Sequence, residues 1–193
     1  MRTRPSLVGG LCLLLAVGLS LLTAPPASAG AFCGQVWGSQ PDQASYAAWS
    51  PRVQGVRTGR HACFDRLVID MGGWPGVWTV QYVGVVTTGG GAPVDVRGGA
   101  RLAVVVETPV DTSVYTPPAV GGRLADVTRY STFRDVVWAG STAATASSPS
   151  VTTIGLGVRA RLPFRVFTLI GPHHNSRLVI DVGHRWCTAG TTC

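Results

Sequence analysis

In VTTIGLGVRARLPFRVF, residues 151–167, apolar and polar positions alternate one by one. Val158, Ala160 and Leu162 fall on one side, Arg159 and Arg161 on the other. After Pro163, the set Phe164, Val166 and Thr168 alternates with Arg165, Phe167 and Leu169. A period of two is the mark of a half-buried β-strand. Similar runs, rich in Val, Thr and aromatics and cut by Gly and Pro, predict strands over Val53–Arg57, Phe64–Met71, Val77–Val86, Arg101–Glu107, Phe133–Ala139, Thr152–Arg161, Phe164–Ile170 and Ser176–Val182. Helical periodicity is nearly absent; QASYAAW, Gln43–Trp49, is the one place for a short helix. The expectation is an all-β, single antiparallel β-sandwich of about eight strands, with a flattened barrel as the alternative. Residues 30–50 read as an irregular leader, 51–186 as the sandwich and 187–193 as a tail.

The links carry information too. TTGGGAP, Thr87–Pro93, reads as a hairpin connection. The run from Thr108 to Arg123 holds three prolines and reads as a long loop, and the Ala/Ser-rich run from Ala139 as a second, mobile one. Gly155 and Gly157 alternate within a strand, which marks a bulge or a close backbone approach. The pentapeptide RLVID occurs twice, as Arg66–Asp70 and Arg177–Asp181. In each copy Leu and Ile must face the core. Direct antiparallel pairing sets Arg66 opposite Asp181 and Asp70 opposite Arg177, both favourable; parallel pairing sets like charges together. The other arrangement is one copy in each facing sheet.

The first 29 residues change the picture, because they do not read as part of the domain. Two early arginines, a long apolar run from Leu7, Pro25-Pro26 and Ala27-Ser28-Ala29 form a secretory signal peptide with cleavage after Ala29. An uncleaved anchor is the alternative. Export makes the cysteines disulfide candidates. Cys33, Cys63, Cys187 and Cys193 allow three pairings, and proximity favours Cys33–Cys63 with Cys187–Cys193. A zinc site from His61, Cys63, His184 and Cys187 fits no standard spacing. Sixteen basic residues less Arg2 and Arg4 leave 14, all arginine, against nine acids, a net +5. That suits anionic polymers in general. No basic run or recognition-helix pattern points to nucleic acid.

The segments CGQVWGS, GRHACFDRLVID, RGGARLAVVVE, FRDVVWAGS, TTIGLGVRARLPFRVF and SRLVIDVGHRW together resemble the AMIN-like secreted proteins and lipoproteins of actinobacteria. They are related to the AMIN domain of cell-wall amidases and secretins. The resemblance implies a β-sandwich module of the bacterial envelope that binds peptidoglycan or an associated wall polymer. It departs from the pattern in two ways: no amidase domain follows Val182, and no good lipobox precedes Cys33.

Candidate chemistry is sparse. No G-x-S-x-G elbow surrounds Ser141, the even cysteine count leaves no free thiol, and no pair of carboxylates aligns Glu107 with Asp135. His173 and His174 read as exposed turn residues, and His61 and His184 as structural partners near strand ends. Trp74 is expected in an exposed turn and Trp78 half-buried. Arginine forks match carboxylates and phosphates bidentately. Arg134, Arg159, Arg161 and Arg165, with Trp138 as a flat surface for a sugar face, are therefore the candidate ligand-binding residues. The competing reading has the arginines paired to Asp135 and Glu107, and Trp138 in the core. The expectation is a secreted or wall-associated, non-catalytic module with no cofactor. Its partner is peptidoglycan or an anionic wall polymer; the alternative is an envelope protein whose activity it regulates.

Overall fold

The alternation closes into two facing antiparallel sheets. The computed structural model describes residues 33–35, 37–46, 51–172 and 175–186. The signal segment, the His173–His174 turn and the Cys187–Cys193 pairing lie outside them. The strands are β1 (Asp42–Ala44), β2 (Arg52–Arg60), β3 (Phe64–Gly72), β4 (Trp78–Val83), β5 (Val86–Thr87), β6 (Pro93–Val94), β7 (Ala100–Val106), β8 (Phe133–Thr142), β9 (Val151–Val158), β10 (Phe164–Ile170) and β11 (Asn175–Gly183). One sheet has the order β1-β4-β7-β9-β8, the other β10-β11-β3-β2, and β5-β6 form a small hairpin. Eleven strands stand where about eight are expected, since short pieces without alternation, β1, β5 and β6, also pair.

The core lies between the sheets. Leu67, Ile69, Leu178 and Ile180 from one meet Leu102, Val104, Ile154 and Leu156 from the other, all fully buried. Each such side chain contributes about 1.5–3 kcal/mol of burial energy. The two RLVID copies pair directly and antiparallel, with Arg66 opposite Asp181 and Arg177 opposite Asp70. Arg66 Nε reaches Asp181 Oδ1 at 2.6 Å, whereas Asp70 is held by Arg57 from β2 at 2.7 Å.

Several local expectations change. Gln43 and Ala44 belong to β1, which pairs with β4, so the helix expected over 43–49 is not formed there; residues 47–50 lie outside the described residues. The leader is thus not wholly irregular, and Cys33–Cys63 ties it to the start of β3. The strand expected over Val77–Val86 breaks after Val83. The one expected over Thr152–Arg161 ends at Val158, because Arg159–Pro163 turn toward β10. Ala139–Thr142 extend β8 rather than beginning a loop, with Ser141 Oγ 3.0 Å from Thr152 Oγ1. Trp78 is buried, not half-buried, while Trp74 is exposed.

A second, small cluster forms outside the five-stranded sheet. Val86, Val94 and Val96 of the hairpin region pack on Val137 and Ala139 of β8. The two strand glycines make this possible. A Cβ on Gly155 would sit 2.7 Å from Val96 Cγ2, and one on Gly157 would collide with the Arg97 carbonyl oxygen. This close approach carries Arg97 across the sheet to the end where β8 begins and β9 finishes. The free edge of β8 is covered by the proline-containing loop, through Leu124 N to Val136 O and Trp138 N to Gly122 O.

Candidate functional site

One end of the sandwich gathers the starts of β3, β7, β8 and β10 and the finishes of β2, β9 and β11. Three of the five candidate residues sit there. Arg134, at the start of β8, donates to the carbonyls of Phe133, Tyr130 and Ser131 at 2.8, 3.1 and 3.3 Å. Arg159, just past β9, donates to the His184 carbonyl. Arg161 donates to the Ser39 carbonyl at 2.9 Å and lies over the Tyr82 ring, 4.8 Å from its centroid. Arg159 and Arg161 share this end through a turn, not through one face of a strand.

These three arginines are exposed, and among the described residues none has a carboxylate partner. A carbonyl fixes a guanidinium without cancelling its charge, and further N–H donors stay free. Arg57, Arg66 and Arg165, by contrast, each hold a carboxylate.

Two more arginines join them. Arg97 and Arg123 converge on Asp135, which is only 1% exposed, with Nε–Oδ distances of 3.0 Å each. Burial pushes the Asp135 carboxyl up. The side-chain and backbone hydrogen bonds from Arg97, with the charges of Arg123 and Arg97, more than offset this and hold it below its ordinary value. Arg97, Arg123, Arg134 and Thr128 line a hollow of about 500 Å³, with Asp126 as a carboxylate on its wall. Arg97, Gly98, Gly99, Arg134 and Arg159 line an adjoining one of about 320 Å³. The two share Arg97 and Arg134, so four arginines form a track in the order Arg123, Arg97 with Arg134, Arg159. Gly98, with φ of +141°, lets this turn lie against the Val158 backbone, where a Cβ would clash.

The other two candidates line neither hollow. Arg165 lies on the outer face of the four-stranded sheet. It pairs with the fully buried Asp181 at 2.8 Å and stacks near Trp37, Phe64 and Phe167, at 5.1, 5.5 and 5.0 Å from their centroids. It shares the Asp181 carboxylate with Arg66 beside it. Trp138 is 4% exposed and packs in the core, so it offers no open platform for a sugar face.

Several other polar groups near this end serve the fold. His61 stacks on Phe64, with centroids 4.5 Å apart. His184 Nε2 lies 3.3 Å from Asp65, whose buried carboxylate also accepts Thr132 N and Phe133 N at 2.5 and 3.1 Å. Burial raises the Tyr82 hydroxyl to about 12 despite its bond to the Leu162 carbonyl and the nearby Arg161. Cys63 is taken by its disulfide, which removes it from the zinc set considered above; Cys187 lies outside the described residues. Among the described residues no three His, Cys, Asp or Glu side chains gather as a metal site, and no helix is long and apolar enough to cross a membrane.

The chain belongs to the AMIN-like family: the AMIN-like domain profile matches residues 51–184. Membership points to a cell-wall-related, extracytoplasmic module of a generally non-catalytic kind. No curated protein and no solved structure matches the chain.

The sequence points to Arg134, Arg159 and Arg161, which the structure places at this end, but not to Arg97 or Arg123, which line the same hollows. Arg97 and Arg123 lie in connections with no periodicity. The Gly-Gly pair after Arg97 was the available signal for a tight turn.

Proposed function

We propose that this protein is a non-catalytic, exported module that binds peptidoglycan or an associated anionic wall polymer through the arginine-bearing end of its sandwich. The observation that carries the reading is that Arg134, Arg159 and Arg161 are fixed by backbone carbonyls while their charge stays uncompensated. Purely structural arginines here look different: Arg57, Arg66 and Arg165 each hold a carboxylate. Two adjoining hollows that share two arginines suit a ligand with successive anionic groups more than a lone ion.

The test is co-sedimentation of the purified oxidised protein with insoluble peptidoglycan across a salt series, with accessory polymers stripped from one sample and retained on another. Saturable binding that persists at moderate salt is the expected result, on one or both samples. Binding abolished by moderate salt would reduce the interaction to charge adsorption. No binding to either sample would move the reading to a protein partner.

A further inference from the structure

We propose that Trp186 is the stacking platform of the basic end, and that the ligand seated there is a pyranose ring bearing an anionic substituent, its charge taken by Arg159 and Arg161. This rests on the polymer-binding reading above and adds the chemical class of the ligand.

Trp186 is 49% exposed and lies two residues beyond the segment that defines the family. Its indole N–H donates to the Arg161 carbonyl at 2.9 Å. The ring's polar atom is thus spent on the fold while much of the ring stays in water. Two further bonds lock the same corner. Arg159 donates to the His184 carbonyl, and Arg161 reaches the other way, over Tyr82, to the Ser39 carbonyl. The 159–161 turn and the 184–186 segment are therefore cross-tied. The hydrogen bonds that fix the ring thus belong to the turn that carries Arg159 and Arg161.

This combination selects a chemistry. A simple polyanion needs the guanidinium forks but gains nothing from a rigid indole. A neutral sugar gains from the indole but leaves two unpaired cations unused. A six-membered sugar ring offers an apolar C–H face to the electron-rich ring, and a carboxylate or phosphate on it meets a guanidinium fork. The preorganised ring loses little conformational entropy on binding.

The test titrates the purified oxidised protein with three probes: a uronic acid oligosaccharide, a neutral glucose oligosaccharide of the same length, and inorganic polyphosphate. Wild type is expected to prefer the uronate probe over the neutral one. Trp186→Ala should weaken uronate binding about five- to tenfold and leave polyphosphate binding unchanged. Trp186→Phe keeps a stacking face without the N–H, and should retain most of the uronate affinity. If Trp186→Ala binds the uronate probe as wild type does, or loses both anions equally, the platform is wrong. The two readings fail separately. Wall that still sediments wild type and Trp186→Ala equally would overturn the platform alone. Wall that never sediments the protein would overturn the polymer-binding reading itself.

Discussion

At the scale of single residues, the two copies of RLVID show how far context decides the role of identical side chains. Asp181 is fully buried and holds both Arg66 and Arg165, whereas Asp70 is a third exposed and holds Arg57. Removing a buried partner leaves charges stranded, while a surface pair is worth little. Asp181→Ala should therefore cost about 3 kcal/mol of unfolding free energy, and Asp70→Ala less than about 1 kcal/mol. Urea unfolding of the two variants checks this, and equal losses would contradict the assignment. Asp135 makes a pH prediction. Its carboxyl lies below the ordinary value of 3.8 in the folded chain, so its stabilisation is fully present above that pH. It is lost as pH falls through the lower, folded value. Asp135→Asn should flatten the acid limb of a stability-versus-pH curve; an unchanged limb would show that other acids dominate it.

At the scale of elements, the outer glycines of β9 link packing to the site. Gly157→Ala would push the Arg97 carbonyl away from the sheet and shift the turn that presents Arg97. The expected cost is about 1–3 kcal/mol, the usual range for overpacking. Polymer binding should weaken as well, although Gly157 itself touches no ligand. Thermal unfolding and co-sedimentation of the same variant read both effects. The strands were legible because alternation is a backbone property: β3, β7, β8, β10 and β11 lie within a few residues of the runs that predict them. The segment Val158–Pro163 was misread for the same reason. Its alternation continues past the end of β9, but Arg159, Ala160 and Arg161 leave the ladder to make the turn into β10. β1 was missed because three residues carry no period, and its pairing with β4 is a tertiary fact.

At the scale of the whole molecule, topology brings scattered arginines to one end of the sandwich. Arg97, Arg123, Arg134 and Arg159 come from four connections or strand ends up to 62 positions apart in the chain, and only the sandwich brings them together. No local pattern reveals that. Carbonyl-held and carboxylate-held arginines look alike in a sequence, which is why Arg165 groups there with Arg159, and burial separates Trp138 from Trp186 only once the fold is known. The Cys33–Cys63 link closes a loop spanning 30 positions and anchors the leader, including Trp37, to the four-stranded sheet. Its reduction should lower stability by about 3–4 kcal/mol on the chain-entropy estimate. Unfolding with and without reductant measures it.

On the proposed function, specific arginines, rather than net charge, bind the wall polymer. Arg134→Ala/Arg159→Ala removes two charges at the basic end. Arg52→Ala/Arg177→Ala removes two at the opposite end of the sandwich, where β2 and β11 begin. The decisive measurement is the wall affinity of this charge-matched pair at one moderate salt concentration. The first variant should lose at least tenfold, about 1.4 kcal/mol, and the second should bind nearly as wild type does. Equal losses in both would mean that the protein adheres through its overall charge, and that the arginine end is not a site.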